Sequence, residues 1–498
     1  MARITAASVG GIVRRVVPTL ILVVGTLGIV ALARVAPATS ESPIAERSLV
    51  PEFRPDAKAS TWFCPGVPAN DDSIRGFLVV SNSGQTPVAG TITRFATDGL
   101  ARQQQFAIPA RSTLEIDVLS GGATSFVAAL VESQGAPIAV EQRTEHRAGD
   151  AVVPCATSPS DTWYLADGFT KADSIEQVVI TNPSLDSAIL DVSFVTALGE
   201  RSPQSLKGVV IPPQSLRVFD MASLGARNEP TVAVVVEATV GRVVVGRSQH
   251  YLGRGRLGYT MTLAAAGSGS RWYFADGEKR EGVTEEFVIF NPGTSDQLLT
   301  FIVSTDDGTP IDPLTVTAPA RRITKFSPAS LGALPEGRHS VVVTATDSLA
   351  GDSVGVVVER VSTRQVGKST ASAVVLGTPQ PARAWIAPSG VAADTDDSLR
   401  IFNPGSDVAM IRITYLGPAG DVPITGFEDI ALSPGRATSI GLSGAAASAT
   451  VTVSSTEPVV VQRRVPRGAR QSVPGTAPLI VVATDAESCD TDGGCAGG

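Results

Sequence analysis

Three histidines, four cysteines and a scatter of acidic residues are the side chains in this 498-residue chain that could do chemistry. His146 and His250 each stand three residues after an arginine, Arg143 and Arg247, so they read as matching positions of a repeat about 100 residues apart. His339 stands in a Gly-Arg-His turn. A catalytic triad or a metal centre needs histidine beside a nucleophile or a carboxylate cluster. No such neighbour is visible. No catalytic or cofactor-binding residue is assigned, and the chain is expected not to be an enzyme; a divergent hydrolase is the remote alternative.

The acidic residues fall in four loops: Asp71 and Asp72; Asp167 and Asp173; Asp276, Glu278 and Glu281; Asp394, Asp396 and Asp397. Calcium takes six to eight oxygens, often from loop carboxylates and carbonyls. These loops are therefore candidate calcium sites, with Asp394, Asp396 and Asp397 the named ligand candidates. The competing reading is that aspartate caps turns and keeps loops soluble. The tail CDTDGGC shares its first spacing with a helix-loop-helix calcium site but has no downstream glutamate, so it carries no metal expectation.

The cysteines form two separated pairs, Cys64 with Cys155 and Cys489 with Cys495, and none makes a CxxC. With so few histidines to assist, structural zinc is disfavoured, and an even count beyond an export segment reads as disulfides. Closing the loop of about 91 residues between Cys64 and Cys155 stabilises by about 4–5 kcal/mol in the chain-entropy account.

That export segment is Val16 to Ala33, VVPTLILVVGTLGIVALA, uncharged over 18 residues. As a helix it spans about 27 Å, close to the hydrocarbon thickness of a bilayer. Arg3, Arg14 and Arg15 precede it and no acid occurs before Glu41, which puts residues 1–15 in the cytoplasm and the bulk outside. The expectation is a single-pass anchor at 16–33; the alternative is a signal peptide cleaved after Ala31-Leu32-Ala33, which would leave a secreted protein. Residues 34–60, rich in proline and mixed charge, read as a flexible linker. The net charge is −8 and no basic stripe with interleaved aromatics occurs, so nucleic acid is not an expected partner. Arg463, Arg464, Arg467 and Arg470 form the one basic cluster; it reads as a solvated linker, or as a contact with anionic wall polymer or headgroups.

The elements that must position these residues repeat. The four tryptophans Trp62, Trp163, Trp272 and Trp385 open WFCPG, WYLADG, WYFADG and WIAPSG, at separations of 101, 109 and 113 residues. Each is followed by a β-rich run ending at Asn82, Asn182, Asn291 or Asn403, then by a Pro-led turn at Pro109, Pro212, Pro319 or Pro434. A Val-rich pair of strands then ends at Arg143, Arg247, Arg360 or Arg463. Apolar content of 43% with Gly 48 and Pro 34 favours short strands and turns over helices. The expected class is all-β: four tandem immunoglobulin-like β-sandwich modules at 61–156, 157–265, 266–376 and 377–466, after one N-terminal transmembrane helix and before a tail at 467–498. Each tryptophan is expected to be a core or inter-module anchor; stacking on sugar, with Tyr164 and Tyr273, is the alternative. The near-continuous apolar runs 231–238 and 353–361 suit central strands, or edges buried against a neighbouring module.

The sequence WYFADG…FVIFNPG…APARR in the third copy resembles a repeat of secreted bacterial proteins. With the apolar N-terminal segment, the arrangement over residues 60–466 resembles an uncharacterised actinobacterial family of exported, membrane-anchored proteins. The resemblance implies an envelope location and a β-rich fold and transfers no catalytic residue. The function expected is a non-enzymatic, membrane-tethered scaffold, an extended arm contacting the bilayer through 16–33 and an envelope protein or cell-wall glycan through its modules; carbohydrate binding is the alternative.

Overall fold

The short apolar runs form strands throughout a computed structural model that describes residues 59–484 apart from 70–73, 121–123, 136–137, 254, 348–354, 367–368, 389–397, 448, 467–475 and 481. The expected membrane segment 16–33, most of the linker, Asp71, Asp72, the calcium candidates Asp394, Asp396 and Asp397, and the pair Cys489 and Cys495 lie outside the described residues. Among the described residues no helix is long and apolar enough to cross a membrane.

The first eight strands are β1 (Ala59–Pro68), β2 (Ile74–Asn82), β3 (Val88–Ala96), β4 (Arg102–Ile108), β5 (Ser112–Asp117), β6 (Phe126–Gln134), β7 (Ala139–His146) and β8 (Ala151–Pro154). They pair antiparallel in two sheets, β1-β6-β3-β4 and β5-β2-β7-β8. Trp62, Leu78, Val80, Ile92, Val131 and Val140 fill the space between them.

The same order returns three times. Residues 162–263 give β9 (Thr162–Gly168), β10 (Ile175–Asn182), β11 (Ala188–Thr196), β12 (Gly199–Arg201), β13 (Val209–Ile211), β14 (Ser215–Asp220), β15 (Val232–Val240), β16 (Val244–Gly253) and β17 (Arg256–Leu263). Their sheets are β12-β11-β15-β9 and β14-β10-β16-β17, with the short β12 and β13 together doing what β4 does in the first copy. The third copy holds β18 (Arg271–Lys279), β19 (Val283–Asn291), β20 (Gln297–Thr305), β21 (Leu314–Ala318), β22 (Arg322–Phe326), β23 (Gly337–Asp347), β24 (Val357–Val366) and β25 (Ser369–Leu376). They pair as β18-β23-β20-β21 and β22-β19-β24-β25.

The fourth copy holds β26 (Ala382–Ala387), β27 (Ser398–Phe402), β28 (Ala409–Gly417), β29 (Gly420–Pro423), β30 (Ile430–Leu432), β31 (Ala437–Gly441), β32 (Val451–Pro466), β33 (Thr476–Ile480) and β34 (Val482–Thr484). Its two layers share one long strand: β32 pairs with β28 and β26 through its first half and with β27 and β33 through its second. Both β33 and β34 fall where a tail was expected, so the fourth sandwich runs beyond residue 466.

Two repeated residues hold each copy in shape. Every tryptophan is buried, and its indole N–H donates to the carbonyl of Ile138, Val243, Val356 or Val459, just ahead of the residues that pair with the Asn-ended strand. The large ring is thus spent in the core with its one polar atom satisfied. Each asparagine closes a strand and clasps two turns. The Nδ2 of Asn182 donates to the Asp186 and Ile211 carbonyls while its Oδ1 accepts from the Ser184 N–H. Asn82, Asn291 and Asn403 repeat this geometry. A buried amide with donors and acceptor all used fixes the turns rather than offering itself to a ligand.

The described residues fall in one compact unit, and within it the copies close on themselves. Outward faces of successive sheets meet: Phe95, Phe126 and Ala128 of the first copy pack on Val179 and Leu216 of the second. Ala166, Ala233 and Val235 of the second pack with the third, and Tyr273 and Val342 of the third with Phe402 and Val460 of the fourth. The fourth then returns to the first, where Ile386 joins the core around Trp62 and Thr450 hydrogen-bonds Ser81 and Thr113. This is why runs such as 231–238 are apolar on both faces: one face fills a sandwich and the other a junction. An extended arm is therefore corrected to a closed set of four. At its centre β8, β17, β25 and β33 lie against one another. Gly258 (φ +117°) marks the close approach there. A Cβ on it would stand 3.2 Å from the Ala148 carbonyl oxygen and 3.3 Å from the Ser372 nitrogen, atoms of two other copies.

Candidate functional site: charged seams between the modules

Pairing with the Asn-ended strands sets which residues of the Val-rich strands correspond. Leu78, Val178, Phe287 and Leu399, each four residues before the asparagine, face Gln142, Arg247, Arg360 and Arg463. Arg143 is one residue out of step with the other three landmark arginines, and the matched positions assigned to His146 and His250 fall with it. A slip of one residue puts a side chain on the opposite face. Arg143 accordingly lies on the outside, paired with Glu115 and Glu145. The residues one place earlier, Glu141, Gly246, Glu359 and Gln462, each belong to a strand that docks on the preceding copy.

At the seam between the second and third copies, Glu359 is fully buried. Its carboxylate accepts from the backbone N–H of Ala166 (3.0 Å) and Asp167 (2.6 Å). It also takes the Arg247 guanidinium in a two-pronged contact of 3.1 and 3.2 Å. Asp167 pairs with Arg256 at 2.8 Å. Arg256 also lies over the Phe169 ring and reaches Glu286. Glu176 completes the cluster. It is fully buried, and neither of its oxygens has a hydrogen-bond partner among the described residues. Burial pushes its carboxyl up to about 8; Arg247 opposes this, and Asp167 and Glu359 add to it. It is a neutral acid at pH 7. Gly168 makes room for it, since a Cβ there would collide with the Glu176 carboxyl.

The third–fourth seam uses the same backbone site with different charges. Gln462 replaces Glu359 and accepts from the Asp276 N–H at 2.8 Å. The charge shifts onto Asp276, held by Arg464 (2.7 and 2.9 Å), and onto Glu278, held by Arg364 and Arg464. Burial pushes the Asp276 carboxyl up, but Arg464, Arg360 and Arg338 outweigh it and hold the group below its ordinary range. Glu278 behaves likewise, burial being outweighed by Arg364 and Arg464. Glu285 bridges His339 (2.7 Å) and Arg360 (3.2 Å). The cleft among these groups has a volume of about 10 Å³, room for about one water. At the fourth–first seam Arg463 approaches Glu141 at 3.8 Å, and Arg111 donates to the Gly417 carbonyl (2.8 Å) and pairs with Asp421.

The sequence-level candidates distribute as follows. Cys64 and Cys155 form a disulfide, Cα atoms 4.2 Å apart. Trp62, Trp163, Trp272 and Trp385 are all at most 1% exposed, so no indole face is open to sugar. Of the acidic loops, Asp167, Asp276 and Glu278 are consumed by arginines, while Asp173 and Glu281 are exposed. Among the described residues no group of three or more His, Cys, Asp or Glu is placed to hold a metal ion. Arg463 and Arg464 of the basic cluster are seam residues rather than a solvated linker; Arg467 and Arg470 lie outside the described residues. His146 and His250, far apart in sequence, meet across the first–second junction with ring centroids 5.0 Å apart, both beside Tyr259. Sequence spacing had no means of bringing them together.

What the seams do chemically is clamp. Each buried carboxylate named here except Glu176 faces a guanidinium from the same copy or its neighbour, and two of the four seams use one acceptor side chain on the same backbone bulge.

No curated protein matches the sequence. Among solved structures, one described as the crystal structure of Thermotoga maritima 1070 aligns at 15% identity over 22% of this chain and 93% of its own, with a TM-score of 0.18. A tetra-tandem repeat from the extending region of a large adhesion protein aligns at 12% identity over 85% of this chain and 99% of its own, with a TM-score of 0.11. Neither score supports an argument about fold or function. A family model fits residues 119–380 and 351–486, well over half the chain and spanning all three of the WYLADG, WYFADG and WIAPSG copies, and on that match the chain belongs to DUF5719, a family of unknown function.

Proposed function

We propose that this chain is a non-enzymatic structural or protein-interaction scaffold of the bacterial cell envelope, tethered to the membrane by residues 16–33, with its four modules outside the cytoplasm. The observation that carries this reading is where the repeated residues go. The tryptophans and asparagines are spent on holding each copy in shape and the seam arginines on joining copies, which is the economy of a rigid body rather than of a reaction centre. The Cys64–Cys155 disulfide supports an oxidising compartment. Arg3, Arg14 and Arg15 ahead of the apolar run support the orientation. The resemblance of the WYFADG and NPG motifs supports an actinobacterial envelope.

In this reading each module is an immunoglobulin-like sandwich with exchanged end strands. Its central pairs β2–β5 and β3–β6 match the B–E and C–F pairs of that plan, while β1 joins the sheet of β3 and β6, and β7 the sheet of β2 and β5. Closure into a ring makes it a broad, stiff platform. The test is cross-linking in intact cells followed by mass spectrometry. Reproducible cross-links from the modules to one envelope protein are expected; cross-links to cytoplasmic proteins, or none beyond the chain itself, would overturn the proposal.

A further inference from the structure

The first–second junction holds a groove of about 600 Å³, within the range of ligand sites. Its floor is the outward face of β1 and β6: Thr61, Phe63, Leu130 and Glu132. Its far wall is two turns of the second copy, carrying Pro183 and Arg242. At the next two junctions the aromatic residue after the tryptophan meets a phenylalanine from the following copy. Tyr164 lies 6.1 Å from Phe290, ring to ring, and Tyr273 packs in one cluster with Phe402. Phe290 and Phe402 stand immediately before the repeated asparagine. At the first–second junction that position is Thr181, whose buried Oγ1 has no hydrogen-bond partner among the described residues, so Phe63 has no aromatic counterpart. The walls carry opposite charges, Glu132 and Arg242, and neither makes an ion pair among the described residues.

We infer that this groove is a docking site for a protein segment that inserts a phenylalanine-like side chain against Phe63, flanked by one basic and one acidic residue that meet Glu132 and Arg242. The inference rests on the scaffold reading and gives it a face and a kind of partner. The molecule itself supplies the precedent, since Phe290 and Phe402 meet the aromatic residue after the tryptophan at the next two junctions. Aromatic pairing gains beyond area burial, and opposite charges at the rim set register more than affinity.

The probes are N-acetyl-Lys-Phe-Asp-amide and its reversed sequence, titrated by calorimetry into the membrane-extracted full chain beside the matching alanine peptides and a β-1,4-linked N-acetylglucosamine tetramer. One phenylalanine peptide is expected to bind at least tenfold more tightly than its alanine counterpart. Glu132→Lys and Arg242→Glu, both exposed on the groove walls, should each weaken it at least tenfold without lowering the unfolding midpoint. Equal binding of the phenylalanine and alanine peptides, unchanged affinity in both Glu132→Lys and Arg242→Glu, or binding of the tetramer alone would each overturn the inference. Cross-links to an envelope partner from another face, with the peptides silent, would sink this site and leave the scaffold reading standing.

Discussion

Removing one member of the Arg247–Glu359 pair should cost more than removing both. In Arg247→Met the volume is largely kept but Glu359 loses both guanidinium contacts and retains only the two backbone N–H groups at 2.6 and 3.0 Å. Both side chains are fully buried, so water cannot screen the orphaned charge. Breaking such a pair costs about 3–5 kcal/mol, while replacing it whole with apolar or neutral groups is often close to neutral. Glu359→Gln should be milder than Arg247→Met. Gln462 shows that an amide satisfies the same backbone site, and neutral Glu176, no longer facing Glu359, can ionise to balance Arg247. The double variant Arg247→Met/Glu359→Gln should recover about 2 kcal/mol relative to Arg247→Met alone, a coupling of the size expected for neighbours in one network. The assay is urea unfolding followed by tryptophan fluorescence, with Trp163 and Trp272 buried on either side of this seam. An Arg247→Met variant within 1 kcal/mol of the parent, or a double variant less stable than Arg247→Met, would refute the claim that the seam is held by charge.

Two further outcomes follow from the same geometry. Glu176 binds its proton more tightly folded than unfolded, so between about pH 4.5 and pH 8 the unfolded chain releases it first and stability falls as pH rises; Glu176→Gln should flatten this slope and stabilise by about 3 kcal/mol at pH 7 but by little at pH 4.5, read from urea midpoints across that range. Replacing Cys64 and Cys155 together by serine should lower stability by about 4–5 kcal/mol, and non-reducing peptide mapping of the parent should recover the two cysteines in one cross-linked peptide; a Cys64 open to alkylation would contradict the pairing.

The period, the strands, the Cys64–Cys155 bridge and the structural use of the tryptophans were legible because each is a local or nearly local signal. A buried ring, a strand-ending asparagine and a Pro-led turn act within one copy, and copying repeats the signal four times. The seams were not legible in the same way. Whether Asp167 meets calcium, water or Arg256 depends on strands 89 residues apart in sequence. Alignment on arginine alone also misled, because Arg143 and Arg464 neighbour the true position and loops of different length hide the offset. The tetrapeptides AVEQ (139–142), VVGR (244–247), VVER (357–360) and VVQR (460–463) do carry the correct register. Their third residue, Glu, Gly, Glu or Gln, is the one that reaches the neighbouring copy. Closure had no local signal at all: apolar residues on both faces of a strand fit a stack, a ring or a filament equally well.

Ring closure has a consequence that distinguishes it from a stack. Head-to-tail contacts between like units close into rings when the rotation permits, and otherwise propagate. Each copy here offers one face to its successor and another to its predecessor, and in the intact chain the fourth copy covers the free ends of both the third and the first. A chain ending at residue 380 would uncover Tyr273, Ala275 and Val342 on the third copy together with Ser81, Arg111 and Glu141 on the first. These are the two halves of one kind of interface, now on the same molecule and unable to reach each other. The truncated chain should therefore associate head to tail as its concentration rises, with its strand content retained by circular dichroism, while the chain with all four copies stays monomeric by light scattering under the same conditions. The junction chemistry limits how well the new contact fits, since Glu141 would meet a site whose native occupant is Gln462 and would stand close to Asp276. Association should accordingly be weaker than the native seam and should strengthen in Glu141→Gln. A truncated chain that remained a folded monomer at all concentrations would show that the fourth copy is an appendage, and that the first and third hold their faces without it.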